Sequence, residues 1–177
     1  MEGTWLAGRS LSALLEPLSR HYRPRPVTKD LPGHCISRSK VRVRFVDTDM
    51  MGVVHHSNYI QYFELARIEY LRRRGLDYSS WVKMGFHLPV IEVAVRYKKP
   101  AYLDDLLTVE ARLTTLTRVK VGFEYRVLRD GPEGEQLLAT GATMLACVGD
   151  DHAPCRMPLQ AEAVLLAEEM RAGEVHA

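Results

Sequence analysis

Two aspartates, two histidines and an asparagine crowd into the run Asp47-Thr48-Asp49-Met50-Met51-Gly52-Val53-Val54-His55-His56-Ser57-Asn58. A carboxylate can act as general base on water or as nucleophile, and imidazole, titrating near neutral pH, can orient water or carry a proton. If a helix begins near Ser57–Asn58, its first backbone N–H groups lack intrahelical acceptors and offer donors to a developing anion. The positive end of the helix dipole acts in the same sense. An aspartate ahead of a helix is also an ordinary cap or turn residue, and taken alone Asp49 fits that role better. A metal site is not expected, because the adjacent His55 and His56 do not easily point at one ion.

The elements that must position these residues are readable from periodicity. From Lys40, Val41, Val43 and Phe45 alternate with Arg42 and Arg44, which predicts a half-buried first strand. Asn58 with Gln61 makes a capping box, and Ile60, Phe63, Ala66, Tyr70 and Leu71 follow at helical spacing to a stop at Gly75. Glu64 and Arg67, at i and i+3, are expected to pair. Three further strands follow on alternation: Ile91 to Tyr97, Leu107 to Leu113, and Val121 to Val127. The turn Asp130-Gly131-Pro132-Glu133-Gly134 and a last run Leu137–Val148 complete the order. One strand, one long helix and a meander predict an α+β domain whose sheet curls around the helix and buries its apolar stripe.

A chain of 177 residues that is 46% hydrophobic is long enough for one cored domain and short for two. Its 24 Lys and Arg against 22 Asp and Glu are too balanced to suggest nucleic acid as the main partner, so any basic site is local. No apolar run approaches the ~20 residues of a membrane span. Cys35, Cys147 and Cys155 have neither the pairing of a disulfide framework nor zinc-site spacing, which fits a reducing compartment. Residues 1–38, basic and proline-containing, are expected to be a poorly ordered extension. Leu11, Leu14, Leu15 and Leu18 leave open a short targeting or membrane-surface helix. The domain is expected over 39–158, with a helical tail over 159–177.

The stretch Val43 to Tyr59, with its pattern D-x-D-x-x-G-V-V-x-H-x-x-Y, resembles the signature of the 4-hydroxybenzoyl-CoA thioesterase-like family, particularly its YbgC/FadM-type acyl-CoA thioesterases. The likeness continues through Tyr62-Phe63-Glu64-Leu65-Ala66-Arg67 and Lys99-Pro100-Ala101-Tyr102-Leu103-Asp104-Asp105. It implies a hot-dog fold in which two chains pair their sheets, a homodimer or homotetramer with the thioester at the subunit interface. It implies an acyl-CoA substrate, of small to medium chain or aromatic, and no metal or organic cofactor. Asp49 matches the catalytic aspartate, acting as general base or as nucleophile through an acyl-aspartyl anhydride. His56 matches the motif histidine, acting through its ring or its backbone N–H, and Asn58 and Tyr59 stand as substrate-binding residues. Asp47 and Gly52 are left structural roles, and Glu64 is the reserve carboxylate.

Coenzyme A phosphates call for cations at the mouth of such a site. Arg118 and Lys120, in Thr117-Arg118-Val119-Lys120, are the candidates, although a solvated strand face explains them equally well. Lys98, Lys99 and Arg72-Arg73-Arg74 are weaker, the arginines already suiting a helix C-terminus. Met50, Met51, Met84 and Phe86 line the acyl pocket or simply pack the core. The rival functions are an acyl-carrier-protein thioesterase and a non-catalytic acyl-CoA-binding module. The expected location is cytoplasmic, or organellar if residues 1–38 are a targeting peptide; no integral membrane association is expected.

Overall fold

A computed structural model describes residues 31–76, 78–83 and 85–170; the readings made for residues 1–30, for Met84 and for the end of the tail, 171–177, lie outside it. The predicted meander is present as β3 (Val90–Tyr97), β4 (Leu106–Leu116), β5 (Lys120–Gly131) and β6 (Gly134–Ala146). With β1 (Ile36–Arg42) they form an antiparallel five-stranded sheet in the order β1-β4-β5-β6-β3. Short strands β2 (Phe86–His87) and β7 (Val148–Gly149) pair separately. Phe86 is buried in the core, so it packs rather than lines an open pocket. The β5–β6 hairpin closes through Pro132 and Glu133 between paired Gly131 and Gly134, the latter at φ +105°. That value favours glycine.

Alternation sets the core face of the sheet. Leu107, Val109, Ala111 and Leu113 of β4, and Val121, Phe123, Tyr125 and Val127 of β5, are buried, while Arg112, Glu124 and Arg126 face out. Helix α1 (Asn58–Arg72) lies on the buried face with Tyr59, Tyr62, Phe63, Ala66, Tyr70 and Leu71 inward. Ile60, expected in the stripe, is exposed, and the aromatic rings of Tyr59 and Tyr62 take the inward positions instead. Phe63 stacks on Tyr125 with centroids 4.4 Å apart, and it lies so close to β6 that a Cβ on Gly141 would meet its ring at 2.3 Å. This sheet wrapped on one helix is the α+β arrangement that the order of elements predicts, and it is the hot-dog fold that the resemblance implies.

Two boundaries move. The first strand begins at Ile36, not Lys40, pairing Ile36–Arg38 with Arg112–Glu110, and Cys35 is buried; the folded part therefore reaches into the segment read as an extension. It also ends at Arg42. Phe45 belongs to a 3-10 turn, Phe45–Asp47, and is 81% exposed, because Asp47 captures the Arg44 backbone N–H and turns the chain out of the strand. At the other end, helix α3 (Leu159–Leu166) buries Ala161 and Leu165 and is part of the same core.

Helix α1 ends as expected at Gly75 (φ +79°), with Leu76 N–H donating to the Leu71 carbonyl at 3.2 Å. Arg74 is buried there, its guanidinium 3.6 Å above the Tyr70 ring. It donates to the carbonyls of Ala167 (2.8 Å), Tyr70 (3.0 Å) and His34 (2.9 Å). Arg72 pairs with Glu69, and Arg73 donates to the Arg38 carbonyl, so all three arginines are structural. A short helix α2 (Tyr78–Lys83) follows. No helix among the described residues is long and apolar enough to cross a membrane.

Candidate active site

The D-x-D segment forms a tight reversal between β1 and α1. Thr48 bridges Val54, Asp49 N–H donates to the Val53 carbonyl (3.0 Å), and Gly52 N–H donates to the Asp49 carbonyl (2.9 Å). Gly52 has φ +74° with open space around it, so backbone conformation, not crowding, favours glycine. The loop is tied to the strand region beyond β3 by Val54 N–H donating to the Ala101 carbonyl at 2.9 Å.

The two aspartates are in opposite situations. The Asp47 side chain is buried and accepts three hydrogen bonds from Arg44: from the backbone N–H (2.9 Å), Nε (3.2 Å) and Nη2 (2.8 Å). The hydrogen-bonded Arg44 guanidinium holds the Asp47 carboxyl below the usual carboxylate range, against the opposing effect of burial. Its backbone carbonyl accepts the His55 N–H (2.9 Å) and Asn58 Nδ2 (2.7 Å). Tyr62 lies beneath with its hydroxyl buried beside the Asp47 carboxylate, and its ionisation is pushed up by burial and by the negative charge of Asp47. Asp49 is half-exposed, and only its Oδ1 is engaged, by Met51 N–H at 2.8 Å. Among the described residues nothing bonds to Oδ2.

The helix entry differs from the expected capping box. The N-cap is Ser57, in helical conformation with no side-chain cap, and the Asn58 amide is spent on the Asp47 carbonyl. His55 is half-buried, with Nδ1 2.8 Å from Ser57 Oγ and its ring centroid 4.1 Å from that of His56. The His56 ring is exposed, and among the described residues no acceptor takes its backbone N–H. Its carbonyl accepts the Tyr97 hydroxyl at 2.9 Å, a contact spanning 41 residues that periodicity cannot disclose. Tyr59 is 3% exposed and packs edge-on against Tyr97, so its side chain supports the turn from behind.

Other expected residues are placed apart. Glu64 is exposed and does not pair with Arg67, which donates instead to the Tyr125 hydroxyl at 3.3 Å. Arg118 and Lys120 are exposed in the β4–β5 turn, which Thr117 closes by accepting the Lys120 N–H at 3.0 Å. That turn is at the far end of the 11-residue β4, about 35 Å from the end nearer Asp49. Within one chain they are not brought to Asp49. Around Asp49 itself, Phe45, Val46, Met50 and Met51 form an exposed apolar rim. The cleft of about 460 Å³ on the outward face of the sheet, among Arg96, Arg112, Glu124 and Arg126, includes neither Asp49 nor His56. Among the described residues no group of three or more His, Cys, Asp or Glu is placed to hold a metal ion.

The chain is similar to known proteins over more than half of its length. The chain is 35% identical over 109 residues to the acyl-CoA thioesterase YbgC of Haemophilus influenzae, covering 61% of this chain and 77% of that protein. It is 31% identical over 111 residues to the acyl-CoA thioester hydrolase YbgC of Escherichia coli O157:H7, covering 63% and 81% respectively. The solved DHNA-CoA thioesterase of Staphylococcus aureus superposes with a TM-score of 0.64 at 31% identity, over 68% of this chain and 80% of that one. A family model described as the thioesterase-like superfamily matches residues 43–171. That match spans the D-x-D turn, the helix and every strand but β1, and the chain belongs to the thioesterase-like superfamily.

Proposed function

We propose that this thioesterase hydrolyses acyl-CoA thioesters, of small to medium chain or aromatic, with Asp49 as its working carboxylate. The observation that carries the reading is the contrast within the D-x-D turn: Asp47 is buried and saturated by Arg44, whereas Asp49 keeps one oxygen uncommitted on the open side. Seven residues on, the His56 N–H, which no acceptor among the described residues takes, stands at the positive end of α1 and is the donor for the oxyanion. Asp49 either deprotonates water or attacks the carbonyl carbon to give an anhydride that water opens. The reaction needs no metal or organic cofactor.

The site is completed by a second copy of the chain. Edge strand β3 leaves Val90, Ile91 and Val93 each about 45% exposed, and the rim of Met50 and Met51 is open. An edge with apolar side chains invites a partner strand. Antiparallel pairing of two β3 strands about a twofold axis sets the Val90 end of one against the Tyr97 end of the other. The Val90 end adjoins Leu145 and hence Val121 and Lys120, so it carries the partner's Arg118 and Lys120 toward Asp49.

The decisive experiment is release of free thiol from a panel of acyl-CoAs and acyl-carrier proteins by the protein and its Asp49→Asn variant. The amide keeps the size and much of the hydrogen bonding but is neither base nor nucleophile. The expected fall in kcat is at least about 10²–10⁴-fold with binding retained. Near-full activity in Asp49→Asn would move the test to Glu64 and end this reading. Turnover of acyl-carrier proteins alone would replace the substrate assignment.

A further inference from the structure

The cysteines have no pairing pattern in the sequence, yet the fold sets Cys147 Sγ and Cys155 Sγ 3.4 Å apart. The chain reverses between them: Val148 bridges Pro154, Gly149 N–H donates to the Ala153 carbonyl (3.0 Å), and His152 N–H donates to the Gly149 carbonyl (2.9 Å). Cys155 N–H donates to the Cys147 carbonyl at 3.0 Å, so the cysteines face each other across two antiparallel segments. Facing residues of that kind have Cα atoms ~4.5–5.5 Å apart, within the ~4.4–6.8 Å that a disulfide spans. Both segments are anchored to the turn after β4, by Cys147 N–H on the Val119 carbonyl (2.9 Å) and Met157 N–H on the Arg118 carbonyl (2.7 Å). Cys147 is buried, Cys155 is partly exposed, and Cys35 is buried at the start of β1.

We propose that Cys147 and Cys155 form a modification site, a dithiol that peroxide converts into an intrachain disulfide. Burial, with the neighbouring Cys155 sulfur, pushes the Cys147 thiol up to about 12, so Cys147 keeps its proton at neutral pH and the more exposed Cys155 meets the oxidant. The Cys155 thiol gives up its proton as its sulfur attacks one peroxide oxygen; the O–O bond breaks, a sulfenic acid forms, and the departing hydroxide takes up that proton and leaves as water. The Cys147 sulfur then attacks the Cys155 sulfur. The S–S bond forms, the S–O bond breaks, and the Cys147 proton leaves with the hydroxyl as a second water. Two thiols lose two electrons and two protons, and one hydrogen peroxide becomes two waters.

The test is graded oxidation of the native full chain with hydrogen peroxide, then alkylation in denaturant and tryptic mass analysis. Asp130–Arg156 contains no internal Lys or Arg and carries both cysteines on one peptide. The expected product is that peptide lighter by two hydrogens, with both alkylation sites lost together and restored by dithiothreitol, while Cys35 stays alkylatable. In Cys155→Ser, Cys147 should remain alkylatable at the same dose. In Cys147→Ser, Cys155 should stop at a sulfenic acid that dimedone traps. Sulfinic or sulfonic acid on Cys155 with Cys147 still a free thiol in the unmodified sequence, or disulfides through Cys35, would overturn the proposal. Oxidation of Cys147 in Cys155→Ser at an undiminished rate would overturn the order of attack.

Discussion

A carboxylate that accepts three hydrogen bonds from one arginine, as Asp47 does from Arg44, is stabilised in its charged form and has little basicity to lend to substrate. Its depressed pKa makes Asp47 a pH-dependent contributor to folding. That contribution is full above the ordinary aspartate value of 3.8 and is lost as pH falls through the lower folded value. Asp47→Asn should therefore lower Tm at neutral pH, and the gap to the unmodified chain should close progressively below pH 3.8, as followed by thermal melts across pH. Its kcat loss should be well short of that of Asp49→Asn. An Asp47 variant with the larger kcat loss at equal stability would reverse the roles. His56→Ala removes a ring but not the N–H, so a modest fall in kcat is expected, whereas Tyr97→Phe frees the His56 carbonyl and should lower kcat without changing the ring chemistry.

At the scale of elements, Arg74 joins three of them: it caps α1, holds the chain entering β1 through the His34 carbonyl, and holds the exit of α3 through the Ala167 carbonyl. Arg74→Met leaves buried acceptors without donors and should cost roughly 3 kcal/mol, read from the shift in urea midpoint. Likewise a chain starting at Leu31 should fold, while one lacking residues through Arg38 loses part of β1 and the Cys35 anchor and should fall into the insoluble fraction. Much of this layer was legible beforehand: β4 and β5 alternate cleanly because each has one dry and one wet face. What misled was chemistry acting across the period. Phe45 continues the alternation of β1, but the Asp47 carboxylate folds the backbone at Arg44. Asn58 and Gln61 have capping-box spacing, but the Asn58 amide is claimed by a carbonyl 11 residues earlier. Asp49 and His56 enter the candidate site through their motif, whereas Tyr97 sits 41 residues from the carbonyl it holds and has no local signal.

For the whole molecule, the proposed borrowing of cations across a twofold axis makes a prediction no single chain can satisfy. Arg118→Ala with Lys120→Ala should raise KM for acyl-CoA but spare acyl-pantetheine, which lacks the nucleotide phosphates. Mixing that double variant with inactive Asp49→Asn should regenerate sites of ordinary KM, because one of the two sites in each hybrid pairs an intact Asp49 with intact cations of the partner. Hybrids with the raised KM of the double variant would mean that each chain serves its own site, and sedimentation of a fully active monomer would dismiss the dimer. The close approach at Gly141 has a mechanical consequence as well. The height of α1 above the sheet is set where the Phe63 ring occupies the space of a missing Cβ, and Gly141 is paired with Val95, one strand from the edge and two residues before Tyr97. A methyl group there acts as a shim: it would lift the helix and separate the His56 peptide from the Tyr97 hydroxyl. Gly141→Ala should thus slow turnover by displacing the His56 peptide, from a position on β6 rather than in the D-x-D turn.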